Sequence, residues 1–265
     1  QQTFLPFIKR RAKTLLAPQI TLGILTYVYA VVIQCLVMNK VAFGEISFLD
    51  SILSWWFLIV MFYTHVLFYT ISQIINLNIR KNILVVFAVV LAFVLLIQVF
   101  YHGAPNAPLH IEILPMAFLF FLIGYYFKGI KDISVYQLDL KGCFFLLVPV
   151  LVIISSINPP VMMYNNTYGN LVIFSIGSLL GIYITWVIAS YLKENQFLRW
   201  MGKNSIIIYV LQFKVIQVFT GIDSRITTDT PFYILYLTVF LLSLFTLLPL
   251  TVFCKKYLRF AFGHD

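Results

Sequence analysis

The sequence predicts an all-α, polytopic membrane bundle of about eight transmembrane helices with both termini cytoplasmic, and three observations carry that prediction. Of the 265 residues, 62% are hydrophobic and only 10% charged, with a mean hydropathy of +0.96, which no soluble globule of this size shows. The apolar residues are gathered in runs of about 20, the length that crosses a hydrocarbon layer as a helix, and the runs are continuous rather than alternating, so helices and not barrel strands are implied. The third observation is charge. With the N-terminus inside, fifteen of the 18 Lys and Arg residues fall on the cytoplasmic side, Lys40 and Arg225 outside, and Lys214 within a span.

Spans are expected at 19–38, 51–76, 82–100, 112–128, 141–157, 169–191, 204–221 and 232–254. Before the first, residues 8–18 (IKRRAKTLLAP) form a basic cytoplasmic approach, with Pro18 suited to an entry turn or the first helical position. Residues Gln1 to Thr14 are polar and basic, without the apolar centre and small-residue cleavage site of a signal peptide. In the second span His65, Tyr69, Ser72 and Asn76 recur at offsets of 0, 4, 7 and 11, which puts a polar stripe on one helix face; lipid penalises such a stripe, so it is expected to face the bundle interior.

The outer loop at 102–112 carries His102, His110 and Glu112, but their spacing matches no zinc motif and its prolines read as those of a plain connector, so no metal is expected. The fourth span ends with Tyr125 and Tyr126 in an aromatic belt and Lys128 at the water. The outer loop at 158–170 is rich in amide and tyrosine groups; these suit turns and carbohydrate alike, and Asn165-Asn166-Thr167 matches a glycosylation acceptor for compartments that glycosylate. Gly177 and Gly181 form a small-xxx-small pair that signals close helix packing. Cys35, Cys143 and Cys254 lie in or at the ends of different spans and imply no disulfide framework. There is no internal repeat and no second soluble domain, so residues 1–265 read as one membrane domain.

The seventh span is the odd one. In FLRWMGKNSIIIYVLQFKVIQ (residues 197–217) a polar turn, Gly202 to Ser205, precedes the apolar run, and Asn204 or Ser205 suits an N-cap. Gln212, Lys214 and Gln217 then lie inside the helix, with Lys214 roughly 16 Å deep at about 1.5 Å per residue. Such groups either snorkel and help helices pack, or serve a site.

Several fragments in order resemble the acyltransferase 3 family, the membrane O-acyltransferases that decorate sugars, and its fucose 4-O-acetylase-like branch: FIKRRAKTLLAP at 7–18, SWWFLIVMF at 54–62, LPMAFLFFLIGYYFK at 114–128, NNTYGNLVIFSIGSLLG at 165–181 and FLRWMGKNSIIIYVLQ at 197–212. Members of that family typically have ten spans, with a histidine acting as base on the first. This chain corresponds to the part from the basic loop after the second span onward, so the resemblance implies an N-terminally incomplete domain whose front two helices hold that histidine. The family often has a histidine at the position of Gln212, a basic residue at Thr14 and an aromatic residue at Gln19; Arg11, Lys13, Trp56, Tyr125, Asn204, Ser205 and Tyr209 match motif positions.

The resemblance implies transfer of an acyl group, commonly acetyl, from coenzyme A to a sugar hydroxyl in a bacterial cytoplasmic membrane, with acyl-CoA as cosubstrate and no bound cofactor. Coenzyme A carries several phosphate charges, for which Lys9, Arg10, Arg11, Lys13 and Lys203 are the cytoplasmic counterparts. A sugar hydroxyl needs a general base, for which His65 is the candidate buried in a span, and the carbonyl oxygen needs donors as charge develops, for which Lys214, Gln212 and Asn204 stand available. Tyr69, Trp56, Tyr125, Ser205 and Tyr209 are the candidate substrate contacts.

Two rival classes remain in view, a transporter or flippase for a lipid-linked sugar and a non-catalytic relative. Ion-coupled carriers usually place carboxylates inside the membrane, whereas all nine acidic residues here fall in loops or at span edges. Nucleic-acid binding is not expected, because the basic residues are dispersed along membrane edges.

Overall fold

The structure, a computed structural model, describes residues 3–37, 47–53, 55–77, 79–101, 108–128, 140–192, 194–226 and 232–257. Among these the chain is helical, with no strand beyond an isolated antiparallel bridge between Met162 and Thr167. The helices are α1 (Phe4–Val37), α2 (Phe48–Leu53), α3 (Trp56–Ile74), α4 (Arg80–Tyr101), α5 (Leu114–Lys128), α6 (Leu140–Ile157), α7 (Leu171–Tyr191), α8 (Gln196–Lys203), α9 (Ser205–Ile226) and α10 (Phe232–Tyr257), with 3₁₀ turns at Pro108–Ile113 and Met163–Asn165. Five stretches among the described residues are long and apolar enough to cross a bilayer: Trp56–Ile74, Lys81–Phe100, Leu109–Phe127, Leu171–Ala189 and Tyr236–Tyr257. The expected spans at 19–38, 141–157 and 204–221 coincide with α1, α6 and α9. The chain is an integral membrane protein by composition and by these helices.

It divides into two compact units, Gln1–Arg11 with Leu53–Tyr191, and Ala12–Ile52 with Leu192–Asp265. In the first, α4 buries Ile83, Val86, Val90 and Val94, one residue per turn, and the last three share a core with Met116, Phe118, Leu119 and Leu122 of α5. Leu67, Phe68 and Ile71 of α3 pack on the same core. The rest of α4 leaves Leu84, Val89, Phe93 and Leu96 exposed. Facing water, each Å² of that apolar surface would cost about 25 cal/mol; facing lipid tails it costs nothing, so this face suits a bilayer. Against α6, the close approach expected of α7 is seen at Gly177, where a Cβ would stand 3.1 Å from Ile154 Cγ2; at Gly181 a Cβ would be in ordinary contact, 3.9 Å from Leu151 Cδ2.

In the second unit α9 packs on α10, and α1 meets α2. Gln19 is buried and its Nε2 donates to the Ile52 carbonyl at 3.2 Å, satisfying an orphan acceptor at the end of α2. Gln19 therefore has a structural task that a phenylalanine ring could not perform.

Three boundaries differ from the sequence reading. Pro18 lies inside α1 rather than at an entry turn. The Lys, Arg, Ala and Leu residues before it are strong helix formers, so the helix begins at Phe4 with Pro6 in its first turn, where the missing N–H removes no bond. The second span, expected from residue 51, starts at Trp56, with α2 as a separate short helix before it. The fourth begins as a 3₁₀ turn, in which Leu109 (φ 63°) and His110 (φ 55°) are left-handed before α5 starts at Leu114.

Candidate functional site

His65 stands in the middle of α3, half-buried, and its Nδ1 lies 2.7 Å from the carbonyl oxygen of Met61. A carbonyl only accepts, so Nδ1 carries the proton and Nε2 keeps its lone pair in the neutral ring. That is the tautomer of a general base. The ring meets Phe121 of α5 edge-on at 5.2 Å, and Phe121 in turn meets Phe68 at 5.0 Å, so packing fixes the imidazole plane.

One turn further, Tyr69 stacks on Phe7 at 4.5 Å and touches Phe4 at 5.6 Å. Phe4, Phe7 and Arg11 follow one another at helical spacing on α1, and the Arg11 guanidinium lies 5.6 Å over the Phe7 ring. Arg11 is near enough for its charge to act on His65. Burial first, and the like charge of Arg10 second, work against the protonated form of Arg11; a guanidinium nonetheless stays charged. Tyr69 and Arg11 thus both lie on the Phe7 ring, with His65 one turn before Tyr69 on α3.

The polar stripe on α3 is shorter than the sequence implied. Ser72 Oγ is turned to its own helix, donating to the Tyr69 carbonyl at 2.7 Å, and Asn76 lies beyond the helix end, exposed, with its carbonyl accepting from Asn82 Nδ2 at 3.0 Å. His65, Tyr69 and Ser72 are half-buried, whereas Asn76 is exposed. Tyr125 packs on Phe68 at 4.8 Å, one turn from Phe121, and so borders the same region. Trp56 does not. It stands nine residues before His65, about 14 Å along the helix, and its ring faces His110 instead, at 6.3 Å.

Of the other expected residues, Lys9 and Arg10 fall in the first unit and Lys13, Lys203, Asn204, Ser205, Tyr209, Gln212 and Lys214 in the second. Asn195 caps α8, accepting from the Leu198 N–H at 3.0 Å. Asn204 is buried and ends α8, but its side chain does not cap α9: Nδ2 reaches back to the Trp200 carbonyl at 2.7 Å, while its backbone oxygen accepts from Ile208. The free carbonyls of the α8 C-terminus claim the amide first. Ser205 is exposed and Tyr209 and Gln212 are half-buried; at about 100° per residue these three share one face of α9, with position 214 on the opposite side. The side chain of Lys214 lies outside the described residues. Lys9, Arg10, Lys13 and Lys203 are exposed.

The sequence reading of 102–112 as a plain connector fails for its second half. His102 lies outside the described residues, but His110 and Glu112 are 6% and 7% exposed, with His110 Nδ1 3.8 Å from Glu112 Oε1. Tyr164, in the 3₁₀ turn at Met163–Asn165, faces the His110 ring at 4.9 Å. Tyr168 is also buried, and burial first and the charge of Glu112 second push its phenol well above its usual pKa, so it remains a hydroxyl donor. Among the described residues no three His, Cys, Asp or Glu side chains gather as a metal site would need. Two adjacent non-glycine residues in the left-handed region cost roughly 1–2 kcal/mol each. Replacing Leu109 by glycine is therefore expected to raise stability by about 1 kcal/mol, read as a higher midpoint of thermal unfolding in detergent; an unchanged or lower midpoint would show that the turn is not strained.

A family model for an acyltransferase domain, acyltransferase 3, matches residues 1–254. No curated protein and no solved structure gives a significant match.

Proposed function

Because the chain belongs to the acyltransferase 3 family, and is in general terms a membrane acyltransferase, we propose that it moves an acetyl group from acetyl-CoA to a hydroxyl of a cell-surface sugar or polysaccharide precursor. The observation that carries this reading is the half-buried His65, held by the Met61 carbonyl in the tautomer that leaves Nε2 as a proton acceptor, beside Arg11. In this scheme Nε2 takes the proton of the acceptor hydroxyl as its oxygen attacks the thioester carbonyl, and a positioning contact to the acceptor comes from Tyr69. Arg10 and Arg11 attract the phosphates of coenzyme A; in the second unit, taken by itself, Lys13 and Lys203 are further cationic candidates, and Gln212, with Ser205 and Tyr209 on the same face of α9, is the candidate donor to substrate.

The positive-inside distribution supports cytoplasmic termini and the apolar runs support eight spans; family membership suggests a bacterial cytoplasmic membrane as the setting and O-acetylation of the cell envelope as the role. The test is acetyl-CoA binding and transfer by the purified full-length protein with glycan acceptors. Arg11→Gln is expected to weaken acetyl-CoA binding about tenfold or more, since a charged hydrogen bond contributes about 1.5–3 kcal/mol. Wild-type protein that binds no acetyl-CoA would sink the enzyme reading and leave translocation of a sugar-lipid as the function to examine.

A further inference from the structure

Helix α8 has eight residues, about 12 Å of helix, and two unlike halves. At about 100° per residue, Trp200, Phe197, Met201 and Leu198 fill one half of its circumference and Gly202, Arg199, Lys203 and Gln196 the other. The helix is well formed, capped by the Asn195 side chain and with the Phe197 and Trp200 rings stacked at 6.5 Å. None of its residues is buried. Phe197 and Leu198 are 47% and 41% exposed, so the apolar half is not a core face. A Cβ on Gly202 would meet nothing within 4 Å, so the polar half is open as well.

A helix with both halves open suits the boundary of a bilayer, where hydrocarbon lies on one side and phosphate on the other. In chain order α8 stands at such a boundary, after the apolar stretch Leu171–Ala189 and before the expected span in α9. Arg199 and Lys203 are exposed and four residues apart on the polar half, with no carboxylate on the helix; Glu194, the nearest in sequence, stands before the cap. Like charges at that spacing repel, and an anion beside both relieves the repulsion. A soluble anion would serve the polar half and leave the apolar half in water, whereas an anionic phospholipid supplies phosphate and acyl chains along the same strip. We propose that α8 is an interfacial docking surface for anionic phospholipid, with Arg199 and Lys203 on the headgroup phosphates and Trp200, Phe197, Met201 and Leu198 among the upper acyl chains. The assignment goes beyond the acyl-transfer reading and does not rest on it. It also reaches α9. Asn204 alone separates the two helices, its Nδ2 bonded to the Trp200 carbonyl at 2.7 Å and its backbone oxygen accepting from Ile208 at 3.1 Å, so headgroups that hold α8 also hold the start of α9.

The experiment is fluorescence quenching in phosphatidylcholine vesicles that contain the full-length protein and a small fixed fraction of bromine-labelled phosphatidylglycerol or bromine-labelled phosphatidylcholine. The Trp200 signal is the difference between protein with and without the substitution Trp200→Phe. Labelled phosphatidylglycerol is expected to quench Trp200 at least twofold more than labelled phosphatidylcholine. In Arg199→Gln/Lys203→Gln that ratio is expected to fall to about one, with quenching by labelled phosphatidylcholine unchanged because the apolar half stays seated, and Arg199→Lys is expected to keep the preference. About 1 M salt screens the same attraction and is expected to bring the wild-type ratio toward one, which carries the test should the double variant not fold. Equal quenching by the two lipids, no quenching by either, or a preference that survives the double substitution or the salt overturns the surface. A preference that acetyl-CoA abolishes assigns the two cations to the coenzyme and overturns phospholipid as the occupant.

Discussion

Replacing His65 by alanine in the full-length protein is expected to cut acetyl transfer by about 100- to 10,000-fold, the usual contribution of a positioned general base, while acetyl-CoA binding stays within twofold. The reason is the single hydrogen bond to Met61, which assigns the ring proton to Nδ1 and leaves Nε2 as the only basic position. A merely structural histidine makes the same bond, so a second variant separates the two roles. His65→Asn can still offer an N–H to the Met61 carbonyl but has no basic nitrogen. It is expected to unfold like the wild type and turn over like the alanine variant. Near-normal turnover in the asparagine variant would mean that His65 only packs α3 against α5.

The second large effect concerns folding. Gly23 of α1 is buried against α2, where a Cβ would stand 2.5 Å from Ile52 Cγ1 and 2.6 Å from its Cα. The Cα is backbone and cannot step aside as a side-chain tip can. Gly23→Ala is expected to destabilise by about 1–3 kcal/mol, the range for overpacking a filled site, and Gly23→Val to leave little monodisperse protein after extraction. Gly124 of α5 has nothing within 4 Å of where a Cβ would be, and Gly124→Ala is expected to be neutral or stabilising by up to about 1 kcal/mol from helix propensity. Size-exclusion profiles and unfolding midpoints of the three variants compare them directly. Equal behaviour of Gly23→Ala and Gly124→Ala would show that α1 does not approach α2 as closely as the structure places it.

The helices were legible in the sequence because hydropathy over 20 residues is a strong, additive signal: each expected span overlaps a helix, and five of these are long and apolar enough to cross a bilayer among the described residues. Their ends were not, because an end is decided by a few local bonds. Pro18 looked like a helix start, but the residues before it favour helix as strongly as those after. Asn204 looked like a cap for α9, but the same amide serves the C-terminus of α8, and nothing in its spacing says which way it turns. His65 and Tyr69 were legible from their four-residue spacing. That Phe4 and Phe7 would cover Tyr69 was not, since this depends on where α1 begins. The Glu112 cluster was missed for a different reason. His110 and Glu112 are two residues apart, a spacing that puts no two groups on one face of a regular helix, and only the left-handed turn at Leu109 and His110 brings both inward.

The bond that ties His65 Nδ1 to Met61 also decides how a proton could travel. An imidazole with both nitrogens free can receive a proton on one side and release it on the other; with Nδ1 committed to a helix carbonyl, the ring has a single door. If His65 takes the hydroxyl proton at Nε2, it must return that proton from Nε2, and the departing coenzyme A thiolate is the group that needs one. Acceptor and thioester would then have to stand together at the same nitrogen, in a complex of both substrates with the protein, and the proton would circulate between them without crossing the membrane.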